Sequence, residues 1–131
     1  MSIPPRSDAE RRPALGFSDI GVEVLDRLPP AEIDALPFGV VGMVADGTVV
    51  VYNITESNMA GIARESVMGT HFMSEIGQCM NNFMVAQRFE DETELDEELD
   101  YVLTLRMRPT PVRLRLLKTL TIARHYILIR R

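Results

Sequence analysis

Residues 38–53 read FGVVGMVADGTVVVYN, and this stretch decides the fold. Phe38–Val44 and Thr48–Asn53 are two runs rich in β-branched residues, with Asp46-Gly47 between them. An Asp-Gly pair in that setting predicts a hairpin, because its turn needs positive φ and glycine adopts it without a steric penalty. Upstream, Ile20, Val24, Leu25 and Leu28 stand at helical spacing from Ser18, and Pro29-Pro30 ends the run. A short second helix is expected over Pro30–Leu36, after which Pro37 releases the chain into the first strand. Downstream, residues 54–78 read as short helical pieces broken at Gly61, Gly69 and Gly77. Asn81 or Asn82 is placed to cap a longer helix through Glu90, with Phe83, Ala86 and Phe89 facing inward. Period two then returns: Tyr101, Leu103, Leu105 and Met107 alternate with Val102, Thr104 and Arg106. Arg108-Pro109-Thr110-Pro111 leads into a strand carrying Val112, Leu114 and Leu116, and His125–Arg130 is a last strand. The order predicts an α+β domain, a five-stranded antiparallel sheet with short helices packed on one side and two helices at the N-terminus.

The chain has 131 residues, 46% of them apolar, which is enough to close one core and excludes wholesale disorder. Residues 1–14 hold three of the eight prolines and no apolar period, so they read as a flexible arm ahead of a single domain over 15–131. No run approaches the roughly 18 apolar residues of a membrane span, and the N-terminus has no apolar signal core. A soluble, cytoplasmic protein is expected. The net charge of −5 argues against general nucleic-acid binding, which rests on a basic footprint. Eight of the nineteen acids fall between Glu90 and Asp100, and eight of the fourteen basic residues lie from Arg106 onward. Two solvated faces or a pair of mutually attracting elements explain this, with a docking surface for a partner as the other reading.

Generic catalytic motifs are absent: there is no glycine-rich phosphate loop, no G-x-S-x-G elbow and no H-E-x-x-H pair. His71 and His125 lie far apart in sequence and read as structural or exposed rather than as metal ligands. Met59, Met68, Met73, Met80 and Met84 cluster in the short-helix region, as core filler or as the wall of an adaptable cavity. Cys79 is the single cysteine, so no internal disulfide exists. A lone cytoplasmic cysteine is ordinarily an inert buried thiol, and Gln78 and Met80 supply no activating charge.

The order of several short motifs changes that reading. Leu36-Pro37-Phe38-Gly39 leads into the first strand, Tyr52-Asn53 ends the second, and Glu56 lies four residues beyond Tyr52. Gly69-Thr70-His71-Phe72 precedes Cys79, Met107-Arg108-Pro109-Thr110 joins two later strands, and Tyr126–Arg131 closes the chain. In this order and spacing, from about Leu15 onward, the sequence resembles the photoactive yellow protein family, or xanthopsins, blue-light photoreceptors with a PAS fold. The resemblance implies p-coumaric acid (4-hydroxycinnamic acid) bound to Cys79 as a thioester, with its phenolate oxygen hydrogen-bonded by Tyr52 and Glu56. Phe72, Ile62, Ala60, Tyr101 and Met107 would complete the cofactor pocket. The residue types suit that chemistry, since a thiolate takes an acyl group and a buried phenolate is costly unless donors satisfy it. Tyrosine donates at neutral pH, and burial raises a glutamate pKa so that the acid form can donate too. Light-driven trans/cis isomerisation would then disturb those hydrogen bonds and destabilise the resting fold.

Four positions depart from the family pattern. Ala60 stands where the family has a threonine, Ile62 where it has an arginine, Gln78 where proline is common, and Leu103 where it has a phenylalanine. The lost threonine hydroxyl removes a hydrogen bond worth about 1 kcal/mol, which is expected to shift colour and photocycle speed. Losing the arginine to isoleucine is expected to open or reshape the pocket mouth. A second reading is a PAS-type sensor or adaptor binding haem, with His71 as ligand candidate, another aromatic molecule, or nothing, and acting by protein contact. An enzyme using Cys79 is a third, weakened because neither histidine is placed as its base. With Arg131 so close after the last strand, the signal is expected to pass to a separate downstream protein, from a monomer or weak homodimer.

Overall fold

The computed structural model describes residues 15–104 and 108–131. The proposed arm over 1–14 and the segment 105–107, which includes Met107, lie outside the described residues. Two short helices, α1 (Val22–Arg27) and α2 (Pro30–Asp34), precede the hairpin of β1 (Gly39–Met43) and β2 (Val49–Tyr52). Four helical pieces follow: α3 (Ile54–Ala60), α4 (Arg64–Val67), a π-helical turn (Phe72–Ile76) and a 3₁₀ turn (Gln78–Met80). Then come α5 (Ala86–Asp91) and three strands, β3 (Leu95–Leu103), β4 (Thr110–Lys118) and β5 (His125–Arg130). The five strands form one antiparallel sheet in the order β2-β1-β5-β4-β3. The hairpin turn has Gly47 at φ 91°, as the Asp-Gly pair requires.

Period-two alternation along the central strands divides the core in two. Val41, Met43, Leu114, Leu116, Ile127 and Ile129 face the cluster that holds the short helices after β2, including Phe72, Met80 and Phe89. Val40, Leu117, Tyr126 and Leu128 face a second cluster, with Phe17, Ile20, Leu25, Ile33 and Phe38. The N-terminal helices therefore cover the opposite face of the sheet, a placement that the expectation of short helices on one side and two helices at the N-terminus had left open. The physical reason is the composition of the central strands: β5 reads as four consecutive buried residues, and both of its faces need cover.

The largest departure from the sequence reading is β3. It begins at Leu95, not Tyr101, and runs through the acidic stretch. Asp96, Glu98 and Asp100 share one face; Glu98 and Asp100 lie directly across from Arg115 and Arg113 of β4, and Asp96 is diagonal to Arg115. Arg113 meets Glu98 and Asp100 at 3.3 and 3.0 Å, and Arg115 meets Asp96 at 2.9 Å. The acidic and basic blocks are thus cross-strand partners on neighbouring strands. α5 is also shorter than expected, because Asn82 Oδ1 accepts from the Met84 and Val85 backbone N–H groups in a loop and the helix begins only at Ala86.

Arg115 ties the two layers together. Its side chain is buried, and one guanidinium nitrogen donates to the Phe17 and Ile20 carbonyls at 2.9 and 2.5 Å. Arg115→Met should leave both carbonyls without a protein donor and cost about 2 kcal/mol. Limited proteolysis checks this: cleavage near residues 15–21 should accelerate in the variant, and an unchanged rate would contradict the clamp. Among the described residues no helix is long and apolar enough to cross a membrane.

Candidate functional site

The site begins with Asn53, the residue that ends β2 and starts α3. Its side chain is fully buried and makes four hydrogen bonds. Oδ1 accepts from the N–H of Val40 and, as the α3 N-cap, from the N–H of Glu56; Nδ2 donates to the carbonyls of Ile33 and Phe38. One amide thus locks β1, β2, α2 and α3 together and fixes Glu56 at the third helical position. The sequence reading used Asn53 only as a strand end; the N-x-x-E pattern of Asn53 and Glu56 was the signal for its capping role.

From that position Glu56 points into the protein and is 1% exposed. Its carboxylate lies so close to β1 that a Cβ on Gly39 would stand 2.1 Å from Oε1, which is why that position takes glycine. Both carboxylate oxygens accept from Arg131, Nη1 to Oε1 at 2.6 Å and Nη2 to Oε2 at 3.1 Å. Burial pushes the Glu56 carboxyl above its ordinary range, and the Arg131 bonds oppose that rise. Arg131 is a neighbour of Glu56 that the sequence did not reveal. It lies 75 residues from Glu56, and no local pattern links the two.

Tyr52 sits beside this pair. Its side chain is buried, and among the described residues its hydroxyl has no hydrogen-bond partner. Burial, reinforced by the nearby Glu56 carboxylate, raises its phenol well above the usual tyrosine range, with Arg131 opposing, so the hydroxyl remains a donor at neutral pH. Tyr126 and Thr119 also carry unpartnered buried hydroxyls, but Tyr126 belongs to the cluster on the other face.

Cys79 lies on the 3₁₀ turn, half-buried. Its carbonyl oxygen accepts from Tyr101 Oη at 2.6 Å and from Asn82 Nδ2 at 3.1 Å, and Asn82 Nδ2 also lies 2.6 Å from Tyr101 Oη. The thiol-bearing residue is therefore held at its backbone by β3 and by the loop after it. Tyr52 and Phe72 belong to one apolar cluster, and Ile62, Cys79 and Tyr101 pack against it. Ala60 lines a neighbouring cleft of about 390 Å³ with Leu103, Thr110 and Arg131. The residues singled out from the sequence thus converge on one side of the sheet, Met107 being outside the described residues. His71 does not join them. It is exposed, and its Nδ1 is engaged by Ser74, whose backbone N–H donates at 3.2 Å and whose hydroxyl lies 2.7 Å away. Among the described residues no group of three or more His, Cys, Asp or Glu side chains is arranged to hold a metal ion.

No protein-family model matches the chain. A solved structure, the photoactive yellow protein domain of the sensor histidine kinase Ppr from Rhodospirillum centenum, matches with a TM-score of 0.76 and 32% identity, covering 83% of this chain and 98% of that one. The chain belongs to the photoactive yellow protein family. Two further members agree: photoactive yellow protein from Rhodothalassium salexigens is 28% identical over 119 residues, 88% of this chain and 94% of the relative. That from Halochromatium salexigens is 26% identical over 110 residues, 82% and 88% of the two chains. The PAS domain of an HTR-like protein from Haloarcula marismortui matches with a TM-score of 0.63 at 19% identity over 82% of this chain and 96% of that one, which speaks for the fold alone. The family's sheet and its short helices are those described above, with Cys79 and Tyr52 on the same side.

Proposed function

We propose that this chain is a blue-light photoreceptor that carries p-coumaric acid as a thioester on Cys79 and signals by protein contact, without an enzymatic activity of its own. We take residues 15–131 as its PAS domain, behind an arm over 1–14, in a cytoplasmic setting with a separate downstream partner. The observation that carries the proposal is the Tyr52 hydroxyl: buried, unpartnered and protonated, in the cluster against which Cys79 packs. A native core rarely leaves a buried donor idle, and an oxygen-bearing ligand reaching this cluster would use it.

The remaining residues suit such a group. Cys79 would hold the acyl end, with Tyr101 and Asn82 fixing the backbone that bears the sulfur. Phe72 and Ile62 supply apolar wall. Tyr52 would hold the phenolate oxygen, and Glu56 would join it whenever its carboxyl carries a proton. When bound, the group supplies absorption of visible light and a change of shape by isomerisation about its double bond. The protein's part is to keep water out, to hold the donors and to couple α3 to the sheet through Asn53. The haem reading has less support, since His71 is exposed and its Nδ1 is occupied.

Glu56→Gln tests the donor role. An amide donates more weakly than a carboxylic acid, so the phenolate ground state is stabilised less and its excitation energy falls. The absorbance maximum of the loaded variant should move to longer wavelength; an unmoved maximum would place Glu56 outside the ligand's reach.

A further inference from the structure

We propose that Arg131 is the positioning residue that decides whether Glu56 is a charged acceptor or a neutral donor toward the pocket. The inference rests on the reading above that Glu56 faces a ligand oxygen, and it goes beyond that reading in naming what controls the Glu56 proton.

The geometry makes the two roles exclusive. A guanidinium that donates to both oxygens of one carboxyl group holds it as a carboxylate, since an acid O–H would meet an N–H head on. In that state Glu56 can only accept, and it would repel an anionic oxygen. To donate, Glu56 must take a proton, and Arg131 must let go of at least one oxygen.

Of the two partners, Arg131 is the one that borders open space. Glu56 is closed in by Gly39 and pinned through the Asn53 cap. The Arg131 side chain is 12% exposed and borders the cleft shared with Ala60, Leu103 and Thr110. The small side chain of Ala60 leaves room there for the guanidinium to swing. Among the described residues the Glu56 carboxylate is hydrogen-bonded by Arg131, while Arg108 lines the same cleft without bonding to it. β2 contributes Tyr52, which stays protonated; β1 contributes the Gly39 backbone; α3 contributes the Asn53-capped N–H; and Arg131 follows β5. With the guanidinium withdrawn, burial alone acts on the carboxyl, and the carboxyl takes up a proton. A neutral Glu56 beside the Tyr52 hydroxyl then presents two donors and selects an anionic ligand oxygen.

The test uses the ligand-free chain. The Glu56 carboxyl carbon is followed by NMR against pH, and its signal is assigned by its loss in Glu56→Gln. Arg131→Gln should raise the Glu56 midpoint by at least about one pH unit, a tenfold gain in proton affinity. Arg131→Lys, which keeps the charge without the fork, should fall between Arg131→Gln and the native chain. Circular dichroism shows whether each variant is folded, and the lysine variant carries the test if the glutamine variant is not. A midpoint unmoved in folded variants would overturn the proposal. Because the readout needs no chromophore, a shifted midpoint in a chain that refuses p-coumaric acid would uphold Arg131's control of the proton and overturn only the photoreceptor reading.

Discussion

Replacing Cys79 with alanine should abolish covalent loading by activated p-coumaric acid and, with it, all visible absorbance of the reconstituted protein. The chain holds one cysteine, so no second thiol can take the acyl group. The site around residue 79 should survive the change. The half-buried side chain loses one sulfur atom, while the hydrogen bonds from Tyr101 and Asn82 go to the carbonyl oxygen and remain. The expected cost in stability is about 1 kcal/mol or less, so a folded protein without colour is the predicted result. The readout is the mass and absorbance of the variant beside the native chain. A variant that gains the same mass and colour would move the attachment elsewhere.

Asn53→Ala should be the most damaging single change in stability among the residues around the site. It removes a hydrogen bond from four backbone groups at once, the N–H groups of Val40 and Glu56 and the carbonyls of Ile33 and Phe38, of which the Ile33 carbonyl keeps the Leu36 N–H as a donor. Each orphaned buried group costs about 1–3 kcal/mol. Partial water entry and the neighbouring backbone bond from the Asn53 N–H to the Val40 carbonyl hold the total to about 3–4 kcal/mol. Urea unfolding measures it directly. The same variant frees the first turn of α3, so Glu56 should lose its fixed place beside Arg131. A loss below about 1 kcal/mol would show that other contacts hold this junction.

The parts of the fold that follow from local chemistry were legible in the sequence. The Asp46-Gly47 turn, the β-branched runs beside it, the alternation in β4 and the closing run His125–Arg130 are properties of neighbouring residues, and the strands stand where those residues put them, β4 starting two residues earlier at Thr110. Gly61 and Gly69 take positive φ at the ends of helical pieces, while Gly77, at φ −102°, does not. β3 was hidden for a physical reason. Its residues 96–98 and Asp100 are acidic, and a strand with that composition is stable only beside the arginines that β4 presents, a pairing across 13 to 19 residues. The cover on each face was hidden as well. Val40 and Val41 alternate plainly, but nothing local says that α1 and α2 take the Val40 side.

The candidate site divides in the same way. Cys79, Tyr52 and Glu56 were found through resemblance, since Y-N-x-x-E after a strand and a lone cysteine carry little information by themselves. Glu56 is buried against Gly39, and its carboxylate is bonded by Arg131. Both are tertiary facts, and Arg131 is therefore what the sequence reading lacked. The position where the family has an arginine is Ile62, and a positive charge reaches Glu56 instead from Arg131, just after the central strand β5.

The central claim is that this chain holds a light-absorbing group on Cys79, and the most direct test is to incubate the purified protein with activated p-coumaric acid and record its intact mass and absorption spectrum. The account predicts the gain of one coumaroyl group and a visible band that bleaches in blue light and recovers in the dark. A protein that gains no mass and shows no visible band would contradict it and leave Cys79 as an ordinary thiol packed against the core.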